Sequence, residues 1–195
     1  MPNTFVIMTA MPPTTGHMSL IDFAVSLGDR TTIIVHTNDD EPYVWGRYEA
    51  ICKHVQRFYN CKVVDFNKKT PEDPSTPGFR DYWTTEFRRL GFSAGDTLVG
   101  SEMYGEWLAQ SLGGTFLPYD IERALDPSKA THIRDDYIAN FTQVAPEFQP
   151  YLRRTVTLFG AESVGKTTSS RLLSIRWKGH WVFEYARPYL EAVGP

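Results

Sequence analysis

The amino-acid sequence predicts an α/β protein with a doubly wound parallel sheet. Short apolar or β-branched runs alternate with segments of helical periodicity, as in parallel sheets that carry helices on both faces. The run at residues 31–35 is continuous and β-branched, which is typical of a strand buried on both faces. A glycine-containing turn at residues 160–167 opens a second strand–turn–helix unit. We therefore predict one domain at residues 1–150 and a partial second domain at residues 151–195.

The first half of the chain supplies three predicted strands. The first, at residues 5–8, leads into a turn and an amphipathic helix that begins near Gly16. The second strand ends in a polar loop at residues 36–40. We expect this loop to border a ligand crevice, because ligands of such sheets bind beyond the carboxyl ends of the strands. A helix over residues 43–59 and a third strand at residues 61–66 follow.

The next segment completes the predicted sheet. A loop at residues 67–78 precedes a helix that begins at residues 81–83. Two further strands are predicted at residues 95–100 and 115–118, with a helix at residues 104–112 between them. Each strand is thus separated from the next by a helix, as a parallel sheet requires.

The remaining third of the chain predicts shorter elements. Thr131 has the residue type of an N-cap for a further helix, and residues 146–150 indicate a linker or a short helical turn. Strands are predicted at residues 155–159 and 181–183. A last helix is predicted at residues 185–192.

Composition and charge exclude several classes of protein. With 42% hydrophobic and 22% charged residues, the chain is ordinary for a globular domain. The formal net charge of −3 argues against a general nucleic-acid binder. No apolar run approaches the ~20 residues of a membrane span. Cys52 and Cys61 form neither a metal motif nor a disulfide framework, and no signal peptide is recognisable, so we expect a cytoplasmic protein.

The turn at residues 11–18 is the strongest candidate for a ligand site in the first domain. A helix start exposes unpaired N–H groups and partial positive charge, which suit a phosphate. Gly16 would let the backbone approach that phosphate, and Thr14 and His17 would supply donors beside it. Taken alone, these residues are equally compatible with an ordinary turn and a solvent-facing histidine.

This part of the chain resembles the nucleotidylyltransferase superfamily, whose signature is His-or-Thr, any residue, Gly, His. The matching positions are Thr14, Gly16 and His17. At residues 101–113, then at Asp120, Arg123 and the turn to Arg134, the chain is similar to the NadR-type bifunctional nicotinamide-mononucleotide adenylyltransferases and ribosylnicotinamide kinases. The resemblance implies a Rossmann-like domain that transfers an adenylyl group from ATP to nicotinamide mononucleotide, giving NAD and pyrophosphate, with Mg²⁺ as the cofactor.

The resemblance also implies roles for individual residues. His17 would donate to the α-phosphate, Thr14 would bind a neighbouring phosphate oxygen, and Arg134 would neutralise the departing pyrophosphate. Lys129 stands where the family has a serine, and Ser128 is one position out of register. The residues expected to contact ATP are Gly16, His17, Ser101, Glu102, Thr131, Ile133 and Arg134.

For the nicotinamide nucleotide, the resemblance implies an aromatic residue near the third strand. Asp81 and Trp83 match a Pro-x-x-x-Asp-x-Trp pattern that begins at Pro77. A flat cationic ring binds well on a tryptophan face. Trp45 is a second candidate, and Arg47 would bind a substrate phosphate. The alternatives are core packing for either tryptophan and a helix-surface position for Arg47.

The turn at residues 160–167 fully matches the P-loop pattern, the most specific motif of the chain. Lys166 would reach the β- and γ-phosphates of a nucleotide and Thr167 would bind Mg²⁺. In the resembled family this loop opens the ribosylnicotinamide kinase domain, so nicotinamide riboside is a further expected ligand. Because fewer than the ~50 residues of a usual domain follow, we expect a truncated kinase domain. The predicted P-loop residues are Gly160, Glu162, Ser163, Gly165, Lys166, Thr167 and Thr168.

Other functions stay open at this point. The same fold could transfer an adenylyl or cytidylyl group to another acceptor such as phosphopantetheine. It could sense NAD or ATP without turnover, or act as a ribosylnicotinamide kinase if the chain is a fragment of a longer protein. No DNA-binding helix-turn-helix is expected before a strand that begins within five residues of Met1. An oligomer is compatible with the sequence.

Overall fold

The computed structural model describes residues 2–71, 73–184 and 192–193. The protein divides into two units, Met1–Leu152 and Arg153–Pro195. No helix among the described residues is long and apolar enough to cross a membrane.

Five strands form one parallel sheet in the first unit. They are β1 (Thr4–Met8), β2 (Thr31–Thr37), β3 (Cys61–Asn67), β4 (Thr97–Gly100) and β5 (Thr115–Pro118). Their order in the sheet is β3-β2-β1-β4-β5, and all pairings are parallel. The predicted doubly wound α/β sheet is thus confirmed. Strand order reverses between β1 and β4, the place where such sheets form a ligand crevice at their carboxyl ends.

Helices connect the strands and cover both faces of the sheet. In the first unit they are α1 (Thr15–Leu27), α2 (Val44–Val55), α3 (Phe79–Arg89), α4 (Tyr104–Ser111), α5 (Ala130–Asp135) and α6 (Gln149–Leu152). A short 3-10 helix, Phe141–Gln143, precedes α6. The second unit contains α7 (Lys166–Arg176).

The alternation of side chains along the strands creates two apolar layers. Val6 and Ile33 pack with α1 and α2, whereas Phe5 and Ile34 pack with α3 and α4. Successive strand residues point to opposite faces, so both neighbours in the sequence must be apolar when both faces are covered. This explains why β1 and β2 are continuous apolar runs.

Near the end of the first unit, residues 144–148 return to the turn after β1, and we call this segment the strap. Its residues Val144, Ala145 and Phe148 are fully buried. The Ala145 N–H donates to the Pro13 carbonyl at 3.0 Å, and Val144 forms an isolated antiparallel bridge with Thr14. The short helical turn predicted at residues 146–150 is present here as the start of α6.

A buried histidine ties this strap to two helices. His54 Nδ1 lies 3.0 Å from Glu147 Oε1 on the strap, and its Nε2 lies 2.8 Å from Asp22 Oδ1 on α1. Since His54 itself belongs to α2, one side chain joins three segments that surround the β1–α1 turn.

Three predicted helix boundaries are wrong. Helix α3 begins at Phe79, two residues before the earliest predicted start. The helix predicted over residues 43–59 is limited to α2, because Tyr43 adopts a left-handed backbone with φ +54° and a turn follows Val55. Thr131 is not an N-cap. Helix α5 begins two residues earlier than an N-cap at Thr131 implies, with Lys129 as its N-cap, since the Ile133 N–H already donates to the Lys129 carbonyl at 3.1 Å.

The second unit lacks the strands that the sequence predicts. Among its described residues, 155–159 and 181–183 form no strand, because no neighbouring strand is present there to accept their hydrogen bonds. Phe159 is consequently 91% exposed. The predicted helix after the glycine-containing turn is present as α7. The helix predicted at residues 185–192 falls almost entirely outside the described residues.

Candidate functional site

A cavity of about 420 Å³ opens at the carboxyl ends of β1 and β4. Its wall combines the turn before α1, the residues that follow β4, the loop after β5 and the start of α5. The sequence-predicted site residues in this wall are Thr14, Gly16, His17, Ser101, Glu102, Thr131 and Arg134. Segments far apart in the sequence are therefore brought to one site at the point where the strand order reverses.

Thr14 holds the imidazole of His17 through reciprocal capping bonds. The Thr14 Oγ1 accepts the His17 N–H at 3.3 Å, and the Thr14 N–H donates to His17 Nδ1 at 3.0 Å. Because Nδ1 accepts this bond, the neutral ring carries its proton on Nε2. The Thr14 hydroxyl is buried and already engaged, so Thr14 positions His17 instead of offering the free phosphate contact that the sequence predicts.

The environment of His17 keeps its ring neutral. Burial, followed by the positive charge of Arg123, lowers the pKa of His17 from 6.5 to about 4, while Asp126 acts in the opposite direction. At neutral pH the ring is therefore a donor through Nε2–H and carries no charge. A bound polyphosphate would bring negative charge beside the ring and raise this pKa.

Gly16 allows a buried serine to reach the first turn of α1. Its N–H donates to Ser128 Oγ at 3.0 Å, and a Cβ at position 16 would lie only 2.9 Å from that oxygen. Ser128 is itself fixed, because its N–H donates to Asp126 Oδ1 and its carbonyl accepts Arg123 Nη1, both at 2.8 Å. The close approach at Gly16 thus serves Ser128, which corrects the expectation of a free N–H for a phosphate.

Acidic residues in the cavity wall are engaged by their own loop. Asp120 accepts the N–H groups of Leu125 and Asp126 at 3.0 and 2.9 Å, and these bonds lower the pKa of Asp120. Asp126 accepts the Ser128 N–H. Of the carboxylates in the wall, only Glu102 accepts no hydrogen bond from a loop N–H group within the described residues.

Basic residues of the wall keep donors for a ligand. Arg123, Lys129 and Arg134 line the cavity, and within the described residues none of them forms an ion pair with an acidic side chain. Arg134 donates to the Met11 carbonyl and, at 3.4 Å, to Thr131 Oγ1. A guanidinium has five N–H donors, so further donors remain. Such a wall suits a ligand with several anionic oxygens.

Ile133 does not belong to the cavity wall, contrary to the sequence prediction. Its side chain is fully buried in the core beside α1, and its N–H is used inside α5. Sequence reasoning in turn left Ser128, Asp126 and Arg123 out of the predicted site. A signal existed, since Arg123 lies in the stretch that carries the family resemblance, but its contact with Ser128 depends on the folded loop.

The residues predicted for the nicotinamide nucleotide do not line this cavity. Trp83 is half-buried, its Nε1–H donates to the Pro71 carbonyl at 3.3 Å, and its ring packs on Phe66 with centroids 6.0 Å apart. It is therefore part of the second apolar layer. Trp45 is 67% exposed on α2, and Asp81 is exposed in the first turn of α3.

The loop at residues 36–40 also lies outside the cavity wall. β2 continues to Thr37, two residues beyond the predicted end, so the loop begins later than expected. The His36 ring lies edge-on to Trp83, with centroids 5.9 Å apart. The predicted border between this loop and the site of His17 stays a prediction, because residues 36–40 do not line this cavity.

Arg47 is enclosed by the protein. Its exposed fraction is 0%, and its Nη2 donates to Glu41 Oε2 at 2.5 Å. Its Nε and Nη1 have no hydrogen-bond partner within the described chain. The helix-surface position considered for Arg47 is thus wrong. A buried charged donor without a partner costs about 1–3 kcal/mol or more, so this arrangement needs an explanation.

The loop at residues 160–167 is solvent-exposed and folded around its lysine. Lys166 Nζ donates to the carbonyls of Gly160 and Ala161 at 2.9 and 2.6 Å. Gly165, with φ +83°, precedes the first turn of α7, and Ser163 has φ +60°. Glu162, Thr167 and Thr168 are exposed. The predicted P-loop residues are therefore adjacent, at the start of a helix of 11 residues.

Comparison with known proteins gives a consistent result. The trifunctional NAD biosynthesis/regulator protein NadR of Salmonella typhimurium is 24% identical over 196 residues, which cover 92% of this chain and 47% of that protein. NadR of Escherichia coli gives the same identity and coverage. The chain spans about half the length of these curated relatives. No protein-family model matches the chain.

Solved NadR structures have the same fold. A crystal structure of NadR in complex with NR (nicotinamide riboside) superposes with a TM-score of 0.73 at 24% identity, covering 98% of this chain and 56% of that chain. The resemblance to NadR is confirmed. A second NadR structure, with NAD and AMP-PNP, has a TM-score of 0.69 at 23% identity and covers 98% and 58%. At these identities, the NadR structures establish the fold of the chain. Its chemistry has to be inferred from the residues of its own site.

Proposed function

We propose that the first unit transfers an adenylyl group from ATP to nicotinamide mononucleotide, giving NAD and pyrophosphate. The observation that carries the proposal is the cavity at the strand-order reversal, where a neutral His17 held by Thr14 faces the same space as Arg123 and Arg134. The similarity to NadR, an NAD biosynthesis protein with a known NAD and AMP-PNP complex, supports this choice of substrates.

The proposed reaction is an in-line displacement at phosphorus. A phosphate oxygen of the mononucleotide attacks the α-phosphorus of ATP, and the bond from that phosphorus to the bridging oxygen breaks, so that pyrophosphate leaves with the electron pair. The attacking oxygen is already anionic, hence no general base is required. Catalysis then consists of positioning the reactants and stabilising the charge that develops on the phosphate oxygens.

His17 would stabilise the α-phosphate through Nε2–H. Its capping bonds fix the ring before substrate binds, so little reorganisation accompanies the reaction. Arg134 would contact the β- and γ-phosphates that leave, and Arg123 and Lys129 would add positive charge at the same end. Thr131 would help to hold Arg134 in place through its hydroxyl.

Mg²⁺ would enter together with ATP. The described residues contain no group of three or more His, Cys, Asp or Glu side chains arranged as a metal site. This fits a cation that keeps most of its waters and is held chiefly by substrate phosphates, with Glu102 as the available carboxylate of the wall. Bound in this way, Mg²⁺ would neutralise part of the phosphate charge.

The acceptor side of the proposal rests on Arg47 for the phosphate and on Trp83 or Trp45 for the nicotinamide ring. The unpartnered donors of Arg47 support an anion-binding role. Trp83 has a fixed ring because its Nε1–H is bonded to Pro71, whereas Trp45 is exposed. Substitution of each tryptophan by leucine, with KM for the mononucleotide as the readout, separates the two candidates.

The function is tested by incubating the full chain with ATP, Mg²⁺ and a panel of acceptors. We expect NAD and stoichiometric pyrophosphate with nicotinamide mononucleotide, measured by chromatography. Nicotinic acid mononucleotide and phosphopantetheine in parallel reactions report acceptor choice. Folded protein that binds ATP and forms no dinucleotide would instead favour a nucleotide-sensing module.

A second candidate function is nucleotide binding by the second unit. It is favoured by one observation: Lys166 follows a turn with positive φ angles and lies in the first turn of α7. The NadR complex with NR makes nicotinamide riboside the acceptor to test. Formation of nicotinamide mononucleotide from ATP and the riboside, abolished by Lys166→Ala, would establish this activity.

A further inference from the structure

The buried guanidinium of Arg47 forms an anion-binding site, and the carboxylate of Glu41 already occupies it. Arg47 is fully buried on α2, and its only acceptor in the described chain is Glu41. Glu41 Oε2 accepts two bonds, from Arg47 Nη2 at 2.5 Å and from the Asn38 N–H at 3.1 Å. A guanidinium and a backbone N–H that converge on one anionic oxygen are the donors that proteins use for phosphate oxygens.

Glu41 fills this site incompletely. Its carboxylate leaves Nε and Nη1 of Arg47 without partners. A phosphate presents three oxygens instead of two and carries more charge, so it can satisfy donors that the carboxylate leaves unmet. The arrangement with Glu41 is therefore weaker than the one that a phosphate could form.

Glu41 is the more exposed partner of this ion pair. Its side chain is 20% exposed, whereas that of Arg47 is fully buried. Glu41 sits in the short connection from Thr37 to Val44, between a strand and a helix. Displacing its carboxylate would expose the donors of Arg47 to a ligand.

We propose that Glu41 is an internal occupant of the acceptor-phosphate site, and that the phosphate of the incoming nucleotide displaces its carboxylate from Arg47. This inference rests on the proposed function for the identity of the acceptor. Glu41 then acts as a specificity residue. A mononucleotide can replace the lost carboxylate with its own phosphate, whereas a nucleoside without a phosphate cannot.

The test is calorimetric binding of nicotinamide mononucleotide and of nicotinamide riboside to the full chain and to Glu41→Gln. Removing the competing charge should tighten the mononucleotide roughly tenfold or more and change the riboside by less than about twofold. A purely structural role for Glu41 gives the opposite sign, namely weaker mononucleotide binding in the variant. Equal changes for the two ligands also overturn the proposal.

Inorganic phosphate provides a readout that does not depend on the nucleotide. Glu41→Gln leaves Arg47 without its counter-charge, so phosphate should raise the Tm of this variant more than that of the wild type at equal ionic strength. The matched control is Glu41→Gln with Arg47→Met, which removes both charges and should lose the phosphate effect. Glu41→Ala, which also removes the carboxylate, serves if Glu41→Gln does not fold.

The two proposals fail in different ways. If the chain forms no NAD but Glu41→Gln tightens the mononucleotide, adenylyl transfer is wrong and the displacement of Glu41 stands. If NAD forms but neither the mononucleotide nor phosphate favours Glu41→Gln, the displacement is wrong and adenylyl transfer stands. Absence of any phosphate effect on the Tm of Glu41→Gln, together with unaltered mononucleotide binding, overturns the inference.

Discussion

Two strand–turn–helix motifs of this chain can be compared directly. The turn before α1 is buried, capped by Thr14, bonded to Ser128 and held by the strap, and it faces a cavity. The loop before α7 is solvent-exposed, with Lys166 folded onto the loop's own carbonyls. The second loop is the more specific sequence motif, yet within the described residues only the first is surrounded by other segments that could complete a site. A motif supplies donors, and its surroundings decide whether they form a pocket.

The largest effect on NAD formation is expected when one key side chain is removed from each of the two motifs. His17→Ala should lower kcat for NAD formation by about 10²–10³, the usual cost of a lost donor to a developing charge. Lys166→Ala should leave that rate unchanged. The measurement is NAD formation at saturating substrates, with circular dichroism to confirm folding. A large effect of Lys166→Ala on NAD formation would contradict the assignment of the chemistry to the first unit.

Glycine substitutions test whether the two turns differ in how closely other residues pack against them. Gly16→Ala places a Cβ 2.9 Å from Ser128 Oγ, so we expect a loss of about 1–3 kcal/mol in unfolding free energy and a higher KM for ATP. Gly165→Ala meets no neighbouring atom within 4 Å, and its cost of about 1–2 kcal/mol comes from φ +83° alone.

A double-mutant cycle isolates the effect of the clash between position 16 and Ser128. Combining Gly16→Ala with Ser128→Ala should recover part of the lost Tm, because the clashing oxygen is gone. Gly165→Ala should leave the KM for ATP in NAD formation unaltered. Strict additivity of Gly16→Ala and Ser128→Ala would show that the contact between these residues is unimportant.

A smaller effect, on KM for ATP, is expected at Lys129, where the chain departs from the pattern of the resembled family. Lys129→Ser restores the residue type of the resembled family and removes an exposed charge from the cavity wall. An exposed charge contact contributes about 0.2–1 kcal/mol, so KM for ATP should rise up to about fivefold, and less so at high salt. Lys69→Ser, at a lysine that is 80% exposed and pairs with Asp40, is the control and should change nothing.

The smallest expected effect is the response of the first turn to pH. Since the pKa of His17 is lowered to about 4, kcat/KM for ATP should show no ionisation near pH 6.5 that depends on His17. Between pH 6.5 and 4 the unfolded chain binds the extra proton, so the contribution of His17 to stability is complete above pH 6.5 and is lost as the pH falls towards 4.

The variant His17→Gln separates the ionisation of His17 from that of the other titratable groups. The Tm of His17→Gln should decline less steeply over that pH range than the Tm of the wild type. An activity profile with a pKa near 6.5 that disappears in His17→Gln would show that the ring is exposed to solvent in the free protein.

Local patterns were sufficient to predict most of the first unit. The strands β1 and β2 are recognisable because both faces are covered, which requires consecutive apolar residues such as Ile33 and Ile34. The β1–α1 turn was predictable because the capping bonds between Thr14 and His17 lie within the turn itself. Ser101 and Glu102 were placed at the cavity because they directly follow a strand of the sheet.

Features that depend on distant partners were not predictable in this way. Gly16 and Ser128 are 112 positions apart in the sequence, and nothing local indicates that they meet. The burial of Arg47 depends on a carboxylate six residues earlier and on the packing above α2. Residues 155–159 have the composition of a strand, but strand formation also requires a neighbour to pair with, which composition does not report.

The strap has a consequence for the order in which the protein is made. The turn that carries His17 is synthesised well before the strap, because Val144 and Ala145, which bond to this turn, follow nearly 130 residues later. At about 5–20 residues per second, the ribosome needs several seconds or more to deliver the strap. During that interval the sheet can begin to assemble, but the turn has no support from the strap. The site that faces ATP in our proposal is therefore begun before the strap exists and is completed only after the strap has been synthesised.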